Sequence, residues 1–66
     1  MRNTIKVERA KKNITQADLA EAIDVSRLTI HSIETGKFNP SILTALKIAR
    51  FFDISVDELF RLEEAD

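Results

Sequence analysis

Sixty-six residues make one small domain, able to bury only about 60% of the surface its unfolded chain exposes, which excludes both a core with a deep substrate cavity and a separate effector domain. With no cysteine and a single histidine, there is no disulfide framework, thiolate metal site or histidine cluster, so no metal or other cofactor is expected. The formal net charge of −1 conceals an uneven distribution: residues 1–50 carry nine Lys or Arg against five Asp or Glu, and residues 51–66 carry one against six. A basic front part can approach a polyanion while an acidic tail keeps the opposite side away; an unevenly charged solvated surface is the plainer alternative. No apolar run reaches the 18 or so residues that span a bilayer, and the N-terminus lacks the apolar stretch of a signal peptide, so no membrane partner is expected and the chain reads as soluble and cytoplasmic.

The punctuation is helical almost throughout and predicts an all-α domain. A first helix covers about Thr4 to Lys12, with Ile5 inward and Arg9 one turn on. A second opens at Thr15, whose hydroxyl can cap free amides, with Asp18 in the capping-box position, and turns Leu19, Ala20 and Ile23 inward. The pattern breaks at Asp24 and Val25. Ser26 then caps a third helix through about Thr35, with Ile30 and Ile33 at inward spacing, and Gly36 is placed to take the left-handed conformation that ends it.

Gly36 and Pro40 bracket the one obvious loop. A fourth helix follows from about Ser41 to Phe52, with an expected buried stripe of Ile42, Ala45, Ile48, Ala49 and Phe52 at spacings of three and four. Ser55 and Glu58 form a second capping box, opening a short fifth helix through Val56, Leu59 and Phe60. Only Glu63 to Asp66 look frayed. There is no repeat, linker or alternating stretch long enough to make a sheet.

The second and third helices are the informative pair. About three residues join them, which demands a small residue where they cross, supplied by Ala20, and a left-handed corner, where Asp24 stands and Gly would be easiest. With Ile30 as the inward anchor this is the spacing of a helix-turn-helix, over about residues 15–35, whose second member enters the DNA major groove. Any compact helical hairpin can produce similar spacing.

In order along the chain, TQxxLA, VSRxTI, IExGK and NPS resemble the helix-turn-helix of the phage lambda repressor superfamily, the xenobiotic-response-element type of regulator. The resemblance runs from about Ile5 to Phe60 and is strongest with the minimal members that consist of the DNA-binding domain and little else. It implies a compact five-helix lambda-repressor-like domain in prokaryotes or their phages. It also implies a short two-stranded terminal ribbon, here Met1 to Asn3 with Arg61 to Glu63, of which composition gives little sign.

Residue by residue, the resemblance makes Gln16 the glutamine that holds a backbone phosphate and buttresses the recognition helix, which spans about residues 26–35. It places Ser26, Arg27, Leu28, His31 and Ser32 on base-facing positions and Thr29 at the phosphate-facing edge. Lys37, Phe38 and Asn39 match a loop whose amides and side chains clamp the next phosphates. Arg9 and Glu34 match a buried or half-buried ion pair tying the first helix to the end of the third.

Side-chain chemistry agrees. Arg27 can donate a bidentate pair to guanine O6 and N7, worth about 1–3 kcal/mol of base discrimination, and Ser26 and Ser32 can donate or accept. Where the family commonly places glutamine, Leu28 has no hydrogen-bonding group and would meet a thymine methyl. Plainer readings stand beside these: Leu28 as core under the first helix, His31 as a surface residue without contact, Gln16 as an early-helix residue behind its cap, and Lys37 as a surface lysine.

One short helix rarely gives useful specificity, whereas two copies on a two-fold axis read half-sites about 34 Å apart, so the expected partners are a second copy and a palindromic double-stranded operator. Leu43, Leu46, Phe51, Phe60 and Leu62 are more apolar surface than a small monomer needs, and they place the dimer face within about residues 40–62. The leading expectation is a nucleoid-associated, sequence-specific repressor with no small-molecule ligand; an antitoxin-like or other protein-interaction module is the alternative. An enzyme is not expected, because His31 has only Glu34 nearby and Glu34 is assigned to Arg9.

Overall fold

The computed structural model describes residues 1–66, which form strand β1 (Arg2–Asn3), helices α1 (Ile5–Lys12), α2 (Gln16–Ile23), α3 (Arg27–Glu34), α4 (Ile42–Phe52) and α5 (Val56–Leu59), and strand β2 (Phe60–Arg61). Three of the links between helices repeat one device. Helix α1 ends at Asn13, α2 at Asp24 and α4 at Asp53, each in the left-handed region at φ 55°, 60° and 57°. The next residue, Ile14, Val25 or Ile54, donates its N–H to the carbonyl five residues back, on Arg9, Ala20 or Ala49, at 3.1, 3.0 and 3.1 Å. These are the closing bonds of the Schellman motif, and all three apolar residues pack against the core.

The third residue of each link caps the helix that follows. Thr15, Ser26 and Ser55 accept from the amides of Asp18, Thr29 and Glu58. The first and last complete the expected capping boxes, because Asp18 and Glu58 bond back to the cap amides. The segments NIT, DVS and DIS therefore each supply a left-handed stop, an apolar anchor and a start, so three residues turn the chain without a long loop. Gly36, at φ 81°, ends α3 in the same way, with the Lys37 N–H donating to the Ser32 carbonyl at 3.0 Å.

Ile5, Leu19, Ile30, Ile33, Ile48 and Leu59 are fully enclosed, and Ala20 lies buried in the core contributed by α2. The expected degree of burial fails at Ile42, Ala45 and Phe60. Ile42 is 81% exposed: it has the right spacing for the α4 stripe, but it stands on the first turn, beyond the end of the core, and Ala45 is only half-buried. Phe60 is buried at 7% exposure and therefore offers no surface to a partner chain. Its backbone leaves the helix for an extended conformation and pairs with Asn3, while its side chain joins the core.

The terminal ribbon is present, with the register Arg2 opposite Arg61 and Asn3 opposite Phe60, so β2 begins one residue earlier than expected. Nor are the last residues frayed. The Asp66 carboxylate lies 3.0 Å from the Met1 ammonium and accepts the Glu63 N–H at 2.8 Å. The Glu63 N–H and then the ammonium hold Asp66 below the usual carboxylate range, and the Asp66 side chain holds the ammonium above its usual 8.0. No helix is long and apolar enough to cross a membrane.

Candidate nucleic-acid interface

Helices α2 and α3 meet at the Asp24–Ser26 corner and share the core through Leu19, Ile23, Ile30 and Ile33. With Ile30 and Ile33 inside, the outer face of α3 is left with Arg27, Leu28 and His31, all exposed. Leu28 is 65% exposed, which disposes of its reading as core. Ser32 and Thr29 are half-buried. Ser26 is exposed, but its hydroxyl is already engaged as the helix cap and lies 2.8 Å from the Thr29 hydroxyl, so it is less free to meet a base than its position suggests.

Lys37, Phe38 and Asn39 follow α3 on the surface. The amides of Lys37 and Phe38 both donate to the Ser32 carbonyl, at 3.0 and 3.3 Å, because that carbonyl terminates the helix. The backbone clamp implied by the resemblance is thereby reduced to the Asn39 amide, with the side chains of the loop around it.

Beside this face a polar network joins three helices. Arg9 of α1 donates through Nη2 and Nε to Glu34 Oε1 at 2.7 and 3.1 Å, and through Nη1 to the Ile14 carbonyl at 3.1 Å. The two side chains are only 16% and 6% exposed, which is the tie between the first and third helices that the resemblance implies. The other Glu34 oxygen accepts from Gln16 Nε2, and the same amide nitrogen lies 3.3 Å from His31 Nδ1.

Gln16 thus buttresses α3 directly. One amide hydrogen is engaged by the Glu34 carboxylate, and the same nitrogen stands beside the His31 ring, so the side chain is tied to α3 before any phosphate approaches.

Sequence reasoning missed Asn3, whose Nδ2 donates to the carbonyls of Ile33 and Glu34 at 3.1 and 3.3 Å and whose Oδ1 accepts the Ile5 N–H at 3.1 Å. One side chain thereby satisfies the end of α3 and the start of α1 and fixes the ribbon to the outward helix. No local pattern announces the tie to α3, since those partners lie about thirty residues away. Asn3, Lys6 and Thr35 also line the polar cleft above the Arg9–Glu34 pair.

Two short helices at a tight left-handed corner, the second with a buried aliphatic face and a bare outer face, define a helix-turn-helix domain. Residues 5–59 match the helix-turn-helix family, and the chain belongs to it. It is similar to an uncharacterized HTH-type transcriptional regulator of Methanocaldococcus jannaschii, 47% identical over 64 residues that make up 97% of each chain. It is 43% identical over 56 residues to the HTH-type transcriptional activator BcrR of Enterococcus faecalis, covering 85% of this chain and 28% of that one. Its fold is similar to the N-terminal DNA-binding domain of SinR from Bacillus subtilis, with a TM-score of 0.78 at 33% identity, covering 91% of this chain and 88% of that one. The protein is a DNA-binding transcriptional regulator, not an enzyme.

Proposed function

We propose that the protein represses transcription as a homodimer on a palindromic operator, each copy laying α3 in the major groove. The observation that carries this reading is the division of α3, with Ile30 and Ile33 buried at 0% and 2% while Arg27, Leu28 and His31 are exposed on the opposite side. Arg27, Leu28, His31 and Ser32 meet base edges, and Thr29, Lys37, Phe38 and Asn39 meet the backbone at the rim. Gln16 supports α3 from behind.

The dimer face in this reading is the outer side of α4, where Ile42, Leu43 and Leu46 are 81%, 63% and 52% exposed. An apolar stripe of this kind on so small a domain marks a contact. Leu62 is also largely exposed, at 82%. Phe51 contributes less, because it is half-buried beside Ala22 and Ile23 and lies under the Lys12 ammonium at 5.8 Å from the ring centre.

A dimer of this size occupies about two turns of duplex and excludes polymerase from a promoter it overlaps. Transcription in vitro from a promoter carrying the bound site tests the sign of regulation. A fall in transcript with added protein supports repression, and a rise contradicts it.

A further inference from the structure

We infer that His31 is oriented with Nδ1 as an acceptor from Gln16 and reads its base as a hydrogen-bond donor through Nε2, with Gln16 as the residue that sets the tautomer. This rests on the operator-binding reading above and specifies the chemistry of one contact in it.

One chain of hydrogen bonds runs outward from Arg9 to His31. Arg9 saturates one oxygen of Glu34 and fixes the carboxylate in place. An ionised carboxylate only accepts, so the Gln16 atom against its second oxygen is the amide nitrogen and not the oxygen. That nitrogen is also the atom facing His31 Nδ1 at 3.3 Å. Two donors cannot bond each other, so Nδ1 is the unprotonated acceptor and the ring proton sits on Nε2. The histidine is exposed on the outer face of α3, and with Nδ1 turned to Gln16 the other ring nitrogen, Nε2, is the one left for a base.

The consequence is selective. A donor at that position matches guanine N7 and O6, adenine N7 or thymine O4, and it opposes the amino groups of adenine and cytosine. Guanine is the edge with two acceptors and no donor, so it is the expected partner. A histidine free to exchange tautomers would accept in a fraction of molecules and discriminate less. Gln16 touches no base in this scheme and acts as a positioning residue. The charged and titratable groups facing the pair are Lys6 and Arg9 from α1 and Glu34 from α3.

Two readings test it. In the free protein, at a pH where the imidazole is neutral, nitrogen-15 spectra of the ring should show an unprotonated Nδ1 and a protonated Nε2, and Gln16→Ala should shift both signals toward those of the unfolded chain. A proton on Nδ1, or identical spectra in the two proteins, overturns the tautomer assignment without involving DNA. On the site selected by the wild-type protein, replacing the guanine assigned to His31 with 7-deazaguanine should weaken binding roughly fivefold, the size of one net hydrogen bond. The same loss should follow His31→Ala, and the two changes together should cost no more than either alone.

Additive losses, or selection of an adenine or cytosine amino group at that position, overturn the donor reading. A folded wild-type protein that selects no site overturns the operator reading and the base contact together, while the nitrogen spectra still judge the tautomer.

Discussion

Arg27 is the first residue of α3 and is fully available on its outer face, the part of a recognition helix that reaches base edges. Arg27→Ala should relax the preference at one symmetric base pair and cost about 1–3 kcal/mol on the best site while leaving random DNA nearly unaffected. Lys37→Ala should weaken all sequences alike and lower the slope of log affinity against log salt by about one unit. Binding of both variants to selected and random duplexes across a salt series separates the two roles, and identical behaviour would remove Arg27 from the base-reading set. Glu34 belongs to stability. It is almost enclosed and holds both Arg9 and Gln16, so Glu34→Ala strands a guanidinium and should destabilise by about 3 kcal/mol in urea unfolding. Individual side chains were unequally legible. The exposure of Leu28 followed from Ile30 and Ile33 filling the inward stripe. The Arg9–Glu34 pair, twenty-five positions apart, was visible only through the resemblance, and the Gln16–His31 contact was not visible at all, because it depends on where α2 comes to rest against α3.

At the level of elements, the links are where local chemistry and fold agree most closely. Thr15→Ala removes a cap and its capping box and should cost about 1 kcal/mol in thermal or urea unfolding. Asp53→Gly should do the opposite. Asp53 is exposed, holds a left-handed φ of 57° and places a carboxylate at the negative end of α4, so glycine relieves both penalties and should stabilise by up to about 1 kcal/mol, raising Tm by a few degrees. The clasp of the termini has its own pH window. Asp66, with its pKa lowered, contributes above the ordinary carboxylate range, and that contribution is lost as pH falls through the lowered value. The Met1 ammonium, with its pKa raised, contributes below 8.0 and is lost as pH rises through the raised value. Titration followed by NMR checks both, and an Asp66 that titrates at its ordinary position contradicts the clasp. The caps Thr15, Ser26 and Ser55 and the stops at Asp24 and Gly36 were readable because each is satisfied within five residues, whereas the left-handed stops at Asn13 and Asp53 went unread. Ile42 was misread because periodicity gives the face of a helix and not how far the core extends along it, and Phe60 was misread because its burial depends on pairing with Asn3 at the other end of the chain.

The whole molecule sets a basic sequence of fifty residues against an acidic end, a contrast legible from the first and consistent with a DNA-facing side. Of the apolar residues that the sequence offers for the proposed dimer face, Leu43 and Leu46 are exposed on α4, Ile42 joins them, and Phe60 withdraws into the core. Replacing Leu43 and Leu46 with Glu leaves that core untouched. It should halve the mass seen by sedimentation and weaken binding to a palindrome by about a hundredfold or more, as two linked contacts become one. Unchanged mass and affinity would move the interface elsewhere. The central claim, that α3 of two symmetric copies reads DNA sequence, is tested most directly by letting the folded protein select duplexes from a random pool at roughly physiological salt and sequencing those retained. The account predicts an inverted repeat with half-site centres about one helical turn apart, close to 34 Å. Retention of no common sequence, or of single unpaired half-sites, would contradict it.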